Sequence, residues 1–196
     1  MSQPYDRSAT ANCPGSLDGD LGEFWVEDPF KINWENNLSS YERNRAFLNV
    51  GGETFLEISH LTGADSDGDG RACVAADLDG DGQEELIVRQ SGGGALLVFE
   101  NRFPAKNWIE INLRGKASNR LGIGARLVAE VGGRKIVRDQ FPVNSYRSQA
   151  SSRVHFGLGT AEKIDRLTIR WPSGEIQILT DLKAGKSHRI NESSSS

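Results

Sequence analysis

The sequence predicts an all-β protein: one propeller-blade-like antiparallel unit followed by a β-sandwich of about seven strands. Three observations carry this. In the C-terminal half, apolar residues alternate with polar ones, as in Ile109, Ile111 and Leu113 against Glu110 and Asn112, a period of two that suits a sheet with one buried face. Gly is abundant at 22 residues, and no long stretch repeats apolar residues at helical spacing. An acidic loop, Asp77 to Glu85, runs straight into Leu86, Ile87 and Val88, a short apolar run that reads as a strand.

Along the chain, residues 1–40 form an N-terminal arm with little pattern. It holds Phe24, Trp25, Phe30 and Trp34, more aromatic surface than a solvated arm carries, so packing is expected. Ser16, Asp18 and Asp20 resemble a degraded acidic loop and read as an ordinary turn. Residues 41–103 form the first patterned unit. Strands at 44–50 and 54–59 flank Gly51 and Gly52, a hairpin signal. A third strand at 71–76 enters the acidic loop, a fourth leaves it at 85–89, and 95–100 follows the glycines at 92–94. One blade of this size buries too little apolar surface to stand alone, so a neighbour or self-association is expected.

Residues 101–106 mark the boundary, with Pro104 as punctuation. The sandwich spans 104–192. Its strands are read at 109–113, 123–131, 153–158, 166–171 and 176–178, with a last one at 188–190. Residues 193–196 read as a disordered tail.

The net charge of -4 hides a division. Residues 1–100 hold 19 acidic and 6 basic side chains, net -13, and residues 101–196 hold 8 and 17, net +9. The acidic half suits a cation, and the basic half suits a polyanion or the acidic half itself. An acidic chain without a nucleic-acid motif argues against nucleic acid as partner. No apolar run is long enough to span a membrane. The first residues lack the apolar core of a signal peptide, so a secreted parent would yield this chain as a mature form or an excised portion.

The acidic loop is the most specific feature. Asp77, Asp79 and Asp81 stand two apart, Gly82 follows, and Glu85 is ninth. Carboxylates crowded this closely repel one another until a cation sits among them, and hard oxygen donors select Ca2+. Gly82 permits the sharp turn that aims alternate side chains at one centre. An EF-hand is excluded, because position twelve is Val88 and the flanks are β-like.

These features together resemble known families. Residues 44–101, with FLNVGGETFLEIS and DLDGDGQEELIV, resemble an FG-GAP/VCBS repeat of integrin-propeller type. Residues 107–191 resemble the ASPIC/UnbV domain of the cartilage acidic protein family, on SNRLGIGAR (118–126), NSYRSQ (144–149), FGLG (156–159) and WPSG (171–174). The resemblance implies an extracellular or cell-envelope protein that binds calcium and mediates adhesion or recognition, with no established catalytic activity. It also implies Asp77, Asp79, Asp81 and Glu85 as metal ligands, joined by the backbone carbonyl of Gln83. The family's ninth position is commonly Asp, so the longer Glu85 leaves its denticity open. Family members usually carry several repeats, whereas this chain has room for one.

Other features carry weaker readings. Asp65, Asp67 and Asp69 form a second series before Gly70, but the ninth position is Cys73. It is either a weak second cation site or a solvated turn, and the missing carboxylate favours the turn. The glycines of LGIGAR lack a βαβ context, so close backbone packing or a bulge explains them better than a dinucleotide. WPSG reads as a turn joining two strands, with Trp171 buried. Arg126, Arg166 and Arg170 fall at outward strand positions. With Tyr146, Arg147, Ser148 and Gln149 of the NSYRSQ loop they make a candidate ligand surface for an acidic protein or glycan. Cys13 and Cys73 are either one disulfide or two thiols.

No catalytic constellation is visible. His60, His155 and His188 lack metal-ligand spacing, and no G-x-S-x-G occurs. The chain therefore reads as a calcium-stabilised noncatalytic binding or adhesion module. The alternatives are a glycan- or polyanion-binding module, or a hydrolase whose site is assembled across loops.

Overall fold

The computed structural model describes residues 43–66, 68, 70–90, 95–143 and 148–193. Within them the chain forms twelve strands and one short helical turn, so the fold is all-β as expected. The N-terminal arm, its four aromatics and its Ser16, Asp18 and Asp20 loop lie outside the described residues, as does the tail beyond Ser193. By compactness the chain divides into Met1–Ala72 with Val88–Leu97, and Cys73–Ile87 with Val98–Ser196.

In the first unit, β1 (Phe47–Val50) and β2 (Thr54–Glu57) make the expected hairpin. Gly51 and Gly52 take φ of 68° and 87° at its turn, and Asn49 Oδ1 accepts from the Gly52 amide at 2.8 Å. Strand β2 stops earlier than expected. Ile58 leaves the strand conformation, and Ser59–Thr62 forms a single helical turn, α1, ended by Gly63 at φ 68°. Ser59 is fully buried, and its hydroxyl accepts from the Ala46 amide at 2.7 Å. A polar residue there trades strand hydrogen bonds for this local one.

Strands β3 (Gly70–Ala76), β4 (Glu85–Gln90) and β5 (Leu97–Phe99) form a separate three-stranded sheet. The five strands expected of a single blade-like unit are thus present but fall into a two-stranded and a three-stranded sheet. The turn at Ser59 separates them in sequence.

The C-terminal strands are β6 (Asn107–Arg114), β7 (Arg126–Val131), β8 (Arg134–Asp139), β9 (Val154–Gly159), β10 (Lys163–Arg170), β11 (Ile176–Lys183) and β12 (Lys186–Asn191). They number seven and form two sheets, in the orders β11-β10-β7-β8 and β12-β6-β9. All pairs are antiparallel except β12, which runs parallel to β6. The alternating residues supply one core between the sheets, from Ile109, Ile111 and Leu113 through Leu127, Ala129, Phe156, Leu167 and Ile169 to Ile190. Burial of aliphatic surface on this scale is the main stabilising term of a sandwich.

Strand β8 lies between the strands that the sequence predicts at 123–131 and 153–158. Only Ile136 among its residues is even half-buried, so its charged sequence hides the period of two. The signal lay in Gly132 and Gly133, both with positive φ at the β7–β8 turn. The WPSG reading holds: Trp171 is buried, its carbonyl accepts from the Gly174 amide at 2.9 Å, and the turn joins β10 to β11. The close-packing reading of LGIGAR holds at Gly122, whereas a Cβ at Gly124 would make only ordinary contact with Pro172 at 3.6 Å. Gly122 sits at φ 63°, and a Cβ there would lie 2.9 Å from Leu113 Cδ1 and 3.2 Å from Trp171 Cζ3.

Candidate metal centre and ligand face

The acidic loop is built by its own carboxylates. Asp77 accepts from the amides of Gly80 (2.7 Å) and Gly82 (3.0 Å), and Asp79 accepts from the Asp81 amide at 3.1 Å. Asp81 accepts from the Gln83 amide (2.7 Å) and from its side-chain Nε2 (3.0 Å). These bonds to Gln83 hold the Asp81 carboxyl below its usual range. Glu85 is buried and accepts from the Leu78 amide at 2.9 Å across the base of the loop. Such side-chain-to-amide bonds favour a tight turn over continued strand.

Three of the five expected ligands meet. One carboxylate oxygen each from Asp77, Asp79 and Glu85 lies within 4.8 Å of the others. Asp81 is instead exposed and engaged with Gln83. The donors are all hard oxygens, partly shielded from water at Asp77 and buried at Glu85, which suits a calcium-type cation.

Two residues that carried no sequence signal hold this loop. Gly82 is buried at φ 85°, and a Cβ there would fall inside the indole of Trp108. His155 Nε2 donates to the Gly82 carbonyl at 3.0 Å, and its ring stacks on Trp108 with centroids 6.1 Å apart. Its Nδ1 lies 4.0 Å from a Glu84 carboxylate oxygen, and Asn101 Nδ2 donates to the Glu84 carbonyl at 3.2 Å. Both rings stand on neighbouring strands, with Trp108 on β6 and His155 on β9. Their positions alternate with core residues, and nothing in that alternation says which outward rings meet a loop.

Of the second acidic series only Asp65 is described, and it is engaged by other side chains. Asp65 pairs with Arg43 at 2.8 Å and with His60 Nδ1 at 2.7 Å, which favours the turn reading. Asp67 and Asp69 lie outside the described residues. So do Cys13, and with it any pairing to Cys73, and Tyr146 and Arg147 of the NSYRSQ loop. Ser148 is half-buried and Gln149 exposed.

The outward arginines do share one face, since β7 and β10 are neighbours and Arg126 stands opposite Arg170. That face is less basic than expected. Arg126 donates from Nε and Nη2 to the two carboxylate oxygens of Asp139, at 2.7 and 3.0 Å, and Glu130 lies opposite Arg166. Asp139 belongs to β8, the strand the sequence did not reveal.

A third cluster also escaped sequence reading. Glu192 is buried and accepts from the Lys116 amide (2.6 Å), the Ser118 amide and hydroxyl (2.8 and 2.7 Å) and the Ser173 hydroxyl (2.6 Å). Burial pushes its carboxyl up, but the hydrogen bonds from Ser173, Ser118 and Lys116 outweigh it and lower it to about 2. One carboxylate thereby joins the chain end to the loop after β6 and to the WPSG turn.

Residues 35–88 match an FG-GAP-like repeat, and residues 115–196 match the ASPIC and UnbV family. The chain therefore combines these two domain types, as the sequence motifs implied, and the combination fits an extracellular β-rich module. Neither match speaks to the cartilage acidic protein family in particular. No curated protein matches the chain. No helix among the described residues is long and apolar enough to cross a membrane.

Proposed function

We propose that this chain is a calcium-stabilised, noncatalytic binding module of an extracellular or cell-envelope protein. The observation that carries the proposal is the meeting of Asp77, Asp79 and Glu85 within 4.8 Å in the loop at the end of an FG-GAP-like repeat. The proposed ligand set adds Asp81 and the Gln83 carbonyl. The ion's part is structural: it relieves repulsion among the carboxylates and fixes the turn between β3 and β4. The proposed domain limits remain 41–103 for the repeat and 104–192 for the sandwich.

Calcium that binds only the native state raises its stability by about 2.7 kcal/mol at a hundredfold excess over the dissociation constant. The unfolding midpoint of the whole chain is expected to rise with calcium and fall with chelator. Asp79→Ala is expected to abolish that difference while leaving the chain folded. A wild-type midpoint indifferent to calcium refutes the metal reading.

The proposed partner is a protein or an acidic glycan, with self-association through the repeat. On the β1–β2 hairpin Phe47 and Phe55 share one face and are 58% and 62% exposed, while Leu56 on the other face is 54% exposed; apolar surface left open in this way calls for a neighbour. Sedimentation is expected to show association that weakens on Phe55→Asp. A monomer at all concentrations removes this element of the proposal.

A further inference from the structure

The outer face of the β11-β10-β7-β8 sheet is ordered in rows across all four strands. The central row is Ile178, Thr168, Val128 and Val137, in register. Ile178 and Val137 are 49% and 46% exposed at the two ends of this row, which is aliphatic except for Thr168. One neighbouring row is Ile176, Arg170, Arg126 and Asp139, and the other is Thr180, Arg166, Glu130 and Lys135.

The charges of these flanking rows are not equivalent. Arg126 is closed onto Asp139, and Lys135 lies 3.9 Å from Glu130. Arg166 and Arg170 have no ion-pair partner among the described residues. They stand on β10 four positions apart, about 14 Å at the rise of a strand, one on each side of the aliphatic row. Beside Arg170, Gly124, Gln140 and Phe141 help line an open depression of about 590 Å³.

We propose that this face docks an extended peptide segment bearing acid, aliphatic and acid side chains at alternate positions, supplied by a partner protein. The inference rests on the reading of the chain as a binding module, and it is independent of calcium. An extended segment places its first and fifth side chains on one face, about 14 Å apart. The two acids then meet Arg170 and Arg166 while the middle side chain lies on the Thr168–Val128 row. Guanidinium groups take carboxylates in paired hydrogen bonds, which fixes orientation as well as affinity. The aliphatic row decides between the two partner classes. A sugar polyanion offers hydroxyls and charge, and it would leave Ile178, Val128 and Val137 against polar groups, whereas an apolar side chain removes them from water.

The test uses the full chain with calcium present and a fluorescent peptide carrying leucine flanked by two glutamates at alternate positions. Anisotropy is expected to report binding that weakens with salt. Arg166→Glu with Arg170→Glu is expected to weaken it at least about tenfold, and Ile178→Asn with Val137→Asn by a similar factor. Unfolding midpoints confirm that both variants fold, and their calcium-dependent shift separates this face from the metal loop. No binding to the folded wild type overturns the proposal even if the calcium shift is intact. So does binding that survives the asparagine variant, displacement by a heparin-like polymer with no loss in that variant, or loss of self-association in both variants without loss of a peptide complex.

Discussion

Glu192→Ala is expected to destabilise the sandwich by about 3 kcal/mol, because several charge-assisted hydrogen bonds that tie two turns to this strand end are lost together. Urea unfolding of the whole chain measures it. Glu192→Gln separates charge from shape. The carboxyl is lowered from an ordinary 4.5 to about 2 in the folded state. Its contribution is therefore complete above pH 4.5 and is lost as pH falls through about 2. Over that window the wild type is expected to lose stability more steeply than Glu192→Gln. Parallel curves for the two proteins would show that the carboxylate is not held as described.

Gly82→Ala is the second large effect. Gly80 and Gly82 take nearly the same backbone conformation, φ 83° and 85°, yet a Cβ at Gly80 meets nothing within 4 Å and one at Gly82 meets Trp108. Alanine at Gly80 is expected to cost about 1 kcal/mol of left-handed strain alone. Alanine at Gly82 is expected to cost about 2 kcal/mol more, as the indole is displaced and the His155 bond to the Gly82 carbonyl is stretched. Unfolding midpoints of the two variants, each with calcium and with chelator, give the difference. Equal costs would mean that the ring contributes nothing to holding the loop.

The fold was legible where one face of a strand is buried. Ile109 to Leu113 and Leu167 to Trp171 announce themselves because water lies on one side and the core on the other. Strand β8 was hidden because an edge strand meets little core and keeps charged residues such as Arg134, Lys135 and Asp139 at most positions. The acidic loop was legible because its pattern is local: five of nine positions suffice to state it. The elements that support it were not, because Trp108 and His155 reach Gly82 across long sequence separations. Likewise, the basic face was read from strand parity, which places Arg126 and Arg166 outward. Parity does not reveal that Asp139 and Glu130 arrive beside them from pairing partners. Glu192 looked like the margin of a serine-rich tail because its partners, Lys116, Ser118 and Ser173, come from two distant turns.

The parallel pairing of β12 with β6 bears on how the domain is made. Strand β12 hydrogen-bonds to β6, the first strand of the sandwich, so the three-stranded sheet is incomplete until β12 itself has been made. Contacts of such long range slow folding, since the closure entropy must be met before they form. Meanwhile β6 presents an open edge with Ile109, Ile111 and Leu113 beside it, a template for pairing with other chains. The interval between the synthesis of β6 and that of β12 is then the period in which this edge is exposed, and the arrival of β12 ends it.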